Sequence, residues 1–144
     1  MKLCMIGTGY VGLVSGACFS DLGNIVYCVD KDKEKIKSLN VGKVPIYEPG
    51  LEEILKKNFK QKRLFFTTDL KLAVNNSDII FICVGTPTKK NGNSADLKHV
   101  FQVANKLKKY IKKYKIIITK STVPVTTGDK IEKVLKKLKN KKLV

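Results

Sequence analysis

Apolar residues fall along this chain in short continuous runs that alternate with longer amphipathic stretches. That is the mark of strands buried on both faces between surface helices. The runs predict strands over 2–6, 25–29, 64–67, 78–84 and 115–119. The stretch Ile79-Ile-Phe-Ile-Cys-Val84 has no polar position at all. Helical periodicity predicts helices over 11–22, 31–39, 52–59, 96–110 and 127–138, and Asp69 caps a short one that ends at Val74. Over 96–110, Leu97, Val100, Phe101, Ala104 and Leu107 form one stripe. Gly23-Asn24 stop the first helix, and residues 40–42 stop the second. Two prolines and a glycine in Val44-Pro-Ile-Tyr-Glu-Pro-Gly-Leu51 forbid a continuous element there. Residues 85–87 end the fourth strand, 89–94 form a polar loop, 121–125 turn into the last helix, and 139–144 leave no room for another complete element. Strand–helix alternation of this kind predicts an α/β domain with a doubly wound parallel sheet.

The junction of the first strand and first helix carries chemistry. Gly7-Thr-Gly-Tyr-Val-Gly12 follows the strand directly, and Val29-Asp30 closes the second strand. Strand, GxGxxG, helix, strand and acid in this order form the dinucleotide-binding arrangement, so the fold is expected to be Rossmann-type. Gly7 permits the tight turn, Gly9 lets the backbone approach a pyrophosphate, and Gly12 lets the helix pack closely on its strand. Free N–H groups at the helix N-terminus then face the diphosphate. Asp30 is placed to accept hydrogen bonds from a ribose diol. Its charge favours NAD over NADP, although Lys31, Lys33 and Lys35 temper the repulsion of a 2′-phosphate. Without a ligand, the same glycines serve as a plain strand-to-helix turn. Residues 7–12, Asp30, 85–87 and 121–124 all fall at carboxyl ends of strands, where such sheets bind ligands.

Four segments carry a resemblance: Gly7-Thr-Gly-Tyr-Val-Gly12, Pro45-Ile-Tyr-Glu-Pro-Gly-Leu51, Val84-Gly-Thr-Pro87 and Lys120-Ser-Thr-Val-Pro124. In this order and spacing the chain resembles the UDP-glucose/GDP-mannose dehydrogenase family over its N-terminal NAD domain. The resemblance implies oxidation of a sugar C6 alcohol to a carboxylate at the expense of two NAD⁺, taking UDP-glucose to UDP-glucuronate. GDP-mannose and UDP-acetamido sugars are the alternative substrates. Tyr10, Val11 and the neighbouring backbone would hold the pyrophosphate. Asp30 would bind the adenosine ribose with Lys35 beside it, and Thr86 would contact the cofactor near its nicotinamide half. Thr122 would stand near the reacting centre as a catalytic and cofactor-binding residue, because a hydroxyl donates and accepts at once. Thr86 and Thr122 also read as caps of the helices that follow, and Glu48 reads as fixing its own loop.

Two departures stand out. After Ser-Thr-Val-Pro-Val the family commonly has Gly-Thr, where this chain has Thr126-Thr127-Gly128. In the family, a nucleophilic cysteine, an acidic residue and a lysine come further along, and none of Cys4, Cys18, Cys28 or Cys83 lies in the nucleophile's motif. The expectation is an NAD-binding domain over 1–144, truncated before the central helix and the substrate domain. Such a chain binds NAD weakly and does not turn over UDP-glucose by itself. At full length the resemblance implies a cytoplasmic homodimer that acts in nucleotide-sugar metabolism and polysaccharide biosynthesis.

Composition changes this picture little. Hydrophobic residues make up 43% of the 144, enough for a core. The first apolar stretch runs straight into the glycine motif, and no run of eighteen apolar residues occurs, so neither a leader nor a membrane span is expected. The net charge is +17, of which residues 101–144 contribute +12. Arg63 is the only arginine among 29 basic residues, so specific nucleic-acid binding is not expected. A non-catalytic dinucleotide- or polyanion-binding module is the alternative from another class. The cysteines show no C-x-x-C spacing and read as buried small hydrophobes, no metal site is expected, and His99 reads as a surface or helix-packing residue.

Overall fold

A computed structural model of the chain describes residues 1–89, 92 and 94–136. Among these residues, five strands form one all-parallel sheet: β1 (Lys2–Ile6), β2 (Ile25–Val29), β3 (Leu64–Thr67), β4 (Ile79–Ile82) and β5 (Ile116–Thr119), in spatial order β3-β2-β1-β4-β5. The strand order reverses between β1 and β4, which creates the crevice where doubly wound sheets take ligands. Register sharpens that edge. Ile6 pairs with Val29 and Ile82, Val29 with Thr67, and Ile82 with Thr119, so all five strands finish on one row.

Among the described residues, six helices cover the two faces: α1 (Tyr10–Asp21), α2 (Lys33–Asn40), α3 (Leu51–Lys60), α4 (Leu70–Asn75), α5 (Lys98–Tyr110) and α6 (Thr127–Lys136). Alternate strand residues divide between them. Leu3 and Met5 of β1 point to a cluster with Leu13, Ala17, Ile36, Leu39, Leu51 and Leu55 from α1, α2 and α3. Cys4 and Ile6 point to the opposite cluster with Ala73, Val74, Val100, Leu107, Ile131 and Leu135 from α4, α5 and α6. Burial on both faces is why the strands read as unbroken apolar runs. Helix α1 lies close because Gly16 faces the sheet: a Cβ there would sit 2.6 Å from Cys28 Sγ.

The expected elements are present with shifted ends. Helix α2 begins at Lys33 rather than 31, because the Asp32 carboxylate accepts from Lys35 N–H at 3.0 Å and caps it. Helix α5 begins at Lys98 rather than 96, because Asp96 accepts from Lys98 N–H at 2.9 Å in a turn of its own. Strand β4 stops at Ile82. Its carbonyl receives Lys120 N–H at 2.9 Å and Ser121 N–H at 3.0 Å, which closes the ladder with β5. Lys115 precedes β5 and is fully buried, its ammonium donating to the Ser77 carbonyl. The expected end of the last helix at 137–138 and the tail at 139–144 lie outside the described residues.

Candidate functional site

The glycine motif is built as its spacing demands. Gly7 has φ +105°, and a Cβ there would lie 2.7 Å from the Cys83 carbonyl oxygen. Its N–H donates to Val29 O at 2.7 Å, while Cys83 N–H donates to Ile6 O at 2.8 Å, so the turn is seated between the ends of β2 and β4. A Cβ on Gly12 would lie 1.9 Å from the Gly7 carbonyl oxygen, so only glycine lets α1 begin here. Gly9 differs: a Cβ there would meet nothing within 4 Å. No packing inside the protein requires a glycine at this position, and the space above it is open to a ligand. Gly9 also contributes no capping side chain to α1, and the first turn carries no acid. The orphan N–H groups of that turn remain available to an anion, with the helix dipole behind them.

Asp30 stands at the end of β2 as expected. Its Oδ2 accepts from Thr8 N–H at 2.9 Å and from the Thr8 hydroxyl at 2.8 Å, and Lys35 Nζ lies 3.5 Å away. Its Oδ1 accepts from Asp32 N–H at 3.1 Å. Partial burial opposes ionisation, but these donors and the lysine outweigh it and hold the carboxyl below the usual carboxylate range. Gly7, Gly9, Asp30 and Lys35 line one cleft of about 280 Å³ at the carboxyl edge of the sheet. Its far wall comes from α5, through His99, Gln102, Val103 and Lys106. His99 Nδ1 lies 3.3 Å from Gln102 Oε1.

Tyr10 and Val11 open α1 and are exposed. The Tyr10 hydroxyl donates to the Glu48 carboxylate and lies 3.1 Å from the Tyr47 carbonyl oxygen, so Glu48 ties its loop to the glycine turn. The bond to Glu48 raises the Tyr10 phenol above its ordinary range.

Thr86 and Thr122 are brought together, outside the lining of the cleft: the Thr86 hydroxyl donates to the Thr122 carbonyl at 2.8 Å. Thr86 therefore bridges two turns rather than capping a helix. Ser121 reinforces the bridge, its hydroxyl 2.7 Å from Val84 O and 3.2 Å from Ile82 O. The Thr122 hydroxyl has no partner among the described residues. Thr126, where the family commonly has glycine, sits at φ +72°. Thr127 follows buried, its hydroxyl donating to Pro124 O at 2.7 Å.

Sequence reasoning did not single out Thr8, Gln102 and Lys106, and it read His99 only as a packing or surface residue. The signal for the α5 wall was the 99, 102, 106 spacing, one polar stripe beside the apolar one. The buried thiols are inert. Burial pushes Cys83 up to about 11 and Cys4 up to about 12, so neither is a thiolate at neutral pH.

Comparison with known proteins matches all of residues 1–144 to one family model, the NAD binding domain of the UDP-glucose/GDP-mannose dehydrogenase family. The chain belongs to this family. Among family relatives, UDP-glucose 6-dehydrogenase of Rhizobium meliloti is 49% identical over 136 residues, covering 94% of this chain and 31% of the relative. UDP-glucose 6-dehydrogenase TuaD of Bacillus subtilis is 50% identical over 136 residues, covering 94% and 29%. The crystal structure of a ternary complex of GDP-mannose dehydrogenase from Pseudomonas aeruginosa superposes with a TM-score of 0.91 at 37% identity, covering 99% of this chain and 35% of that one. This family member thus spans about a third of the length of the relatives it matches. Its cleft fits the family's dinucleotide: open space over Gly9, an uncapped helix start and an ionised acid at the end of β2. No helix among its described residues is long and apolar enough to cross a membrane.

Proposed function

We propose that this chain is the NAD-binding part of a nucleotide-sugar 6-dehydrogenase whose substrate is UDP-glucose. The observation that carries the reading is the pairing, on one cleft, of the uncapped α1 N-terminus over Gly9 with the donor-held Asp30 carboxylate. When bound, the nicotinamide supplies the hydride acceptor for oxidation of the sugar C6 alcohol. The residues of this chain do the holding. Main-chain N–H groups of Tyr10, Val11 and Gly12 receive pyrophosphate oxygens, and the Gly7 turn seats that backbone against β2 and β4. Asp30 accepts from the ribose diol with Lys35 beside it, and its charge disfavours a 2′-phosphate. Thr86 holds the turn that carries Thr122, and the unpartnered Thr122 hydroxyl orients the reacting end of the cofactor or a water.

The choice of UDP-glucose is supported by relatives named UDP-glucose 6-dehydrogenase at 46 to 50% identity. The reading extends to a homodimer at full length, acting in the cytoplasm in the supply of sugar precursors for polysaccharide biosynthesis. The free cysteines, Cys4, Cys18, Cys28 and Cys83, agree with a reducing compartment. Calorimetric titration of the chain with NAD⁺ should show saturable one-site binding that Asp30→Ala weakens. No NADH should form on adding UDP-glucose to this chain by itself. Absence of NAD⁺ binding, with retention on heparin at high salt, would instead select the polyanion-binding module.

A further inference from the structure

We propose that Thr8 is a positioning residue for ribose recognition: its main-chain N–H and its hydroxyl clamp one oxygen of the Asp30 carboxylate and leave the other for a ribose hydroxyl. The proposal rests on the dinucleotide reading above and concerns a residue that the glycine spacing leaves as an unspecified x. Thr8 is 1% exposed, so its hydroxyl has no solvent alternative. Both of its donors converge on Oδ2, at 2.9 and 2.8 Å, and Lys35 Nζ approaches the same oxygen at 3.5 Å. A carboxylate offers about four acceptor positions, two on each oxygen. Oδ2 is therefore filled, whereas Oδ1 receives only Asp32 N–H at 3.1 Å and keeps a free position. The clamp fixes the side-chain rotamer before any ligand arrives, which lowers the ordering cost of binding.

A carboxylate held this way also stays where a 2′-phosphate would meet it. Thr8 thus joins the phosphate turn to the ribose acid, and the two halves of dinucleotide recognition are set by one side chain. Other charged or titratable groups around the carboxylate are Lys31, Lys35 and Asp32 on its own side, Cys83 at the end of β4, and His99 and Lys106 across the cleft on α5. These are the same in wild type and in Thr8 variants, so a difference between the two reports on the clamp.

The test titrates NAD⁺ and NADP⁺ into the 144-residue chain by calorimetry from pH 4 to 8, for wild type, Thr8→Val and Thr8→Ser. Valine keeps the shape of the side chain and removes only the hydroxyl. Thr8→Val should bind NAD⁺ up to about tenfold more weakly, because the released carboxylate must then be ordered on binding. Its preference for NAD⁺ over NADP⁺ should shrink, and the acidic fall-off of NAD⁺ binding should move to higher pH. Thr8→Ser should restore all three to within about twofold. Should valine not give a cooperative melt, Thr8→Ala takes its place beside serine. Equal NAD⁺ affinity and an unmoved acidic limb in Thr8→Val overturn the proposal, as does a serine variant no better than valine. Wild type that fails to bind NAD⁺ removes the dinucleotide reading itself, an outcome distinct from a wild type that binds and a valine variant that binds equally.

Discussion

Glycines 9 and 12 separate the demands of a ligand from those of the fold. Gly9→Ala adds a methyl group that meets nothing within 4 Å, at φ −73° and ψ −170°, extended backbone open to any residue. Alanine is the poorer N-cap by about 0.5–1 kcal/mol, and it gains back about 0.4–1 kcal/mol by restricting the unfolded chain. The net change in stability is expected within about 0.5 kcal/mol. The methyl group does fill the approach to the orphan N–H groups of α1. Losing one or two charge-assisted hydrogen bonds to an anion costs about 1.5–3 kcal/mol, or ten- to hundredfold in NAD⁺ affinity. Gly12→Ala is the opposite case. Its Cβ falls 1.9 Å from the Gly7 carbonyl oxygen, so α1 must move off the turn. The expected cost is at least the 1–3 kcal/mol of an overpacked core, seen as a lowered Tm. Thermal melts and NAD⁺ calorimetry on both variants check this. If Gly9→Ala binds NAD⁺ as wild type does, the cleft is not where the diphosphate lies.

Two further outcomes follow from named contacts. Thr126→Gly should stabilise the chain, since a β-branched residue at φ +72° costs about 1–2 kcal/mol, offset by about 0.5–1 for the freer unfolded glycine; a Tm gain of about 2–4 °C is expected, and a Tm loss would show that Thr126 is not strained. Asp30 has a folded-state pKa below its ordinary value, so it stabilises the fold above about pH 4 and the contribution fades as pH falls through the folded value. Asp30→Asn should therefore be less stable than wild type at pH 7 by about 1–3 kcal/mol, with the gap closing toward pH 3 in thermal melts. Parallel stabilities down to pH 3 would refute the donor-held carboxylate.

Much of this architecture was legible without coordinates, and the misses have physical causes. Strands β1 and β2 were read to the residue because a glycine or an acid bounds each one, at Gly7, Gly23 and Asp30. The end of β4 was not, because Cys83 and Val84 are as apolar as the strand itself. What stops the ladder is the arrival of two N–H groups from Lys120 and Ser121 at one carbonyl, a long-range event. Asp32 and Asp96 shifted two helix starts because an Asx side chain can cap a helix or make a separate turn, and local sequence does not choose between them. Within the site, Gly7, Gly9, Gly12 and Asp30 were visible because spacing alone defines them. Thr8 was not, since its role depends on Asp30 folding back against the turn. The α5 wall shows in the sequence only as the polar stripe of His99, Gln102 and Lys106; that this stripe faces the crevice depends on how the helix docks, a long-range matter. Position 126 was flagged only by the missing glycine, and the left-handed backbone found there supplies the reason a glycine suits it.

The hydroxyls of Thr86 and Ser121 both cross from one turn to its neighbour, at 2.8 and 2.7 Å. Stitched in this way, the segments after β4 and β5 are braced against each other. A guest that shifts either segment must break or carry with it the bonds to the other.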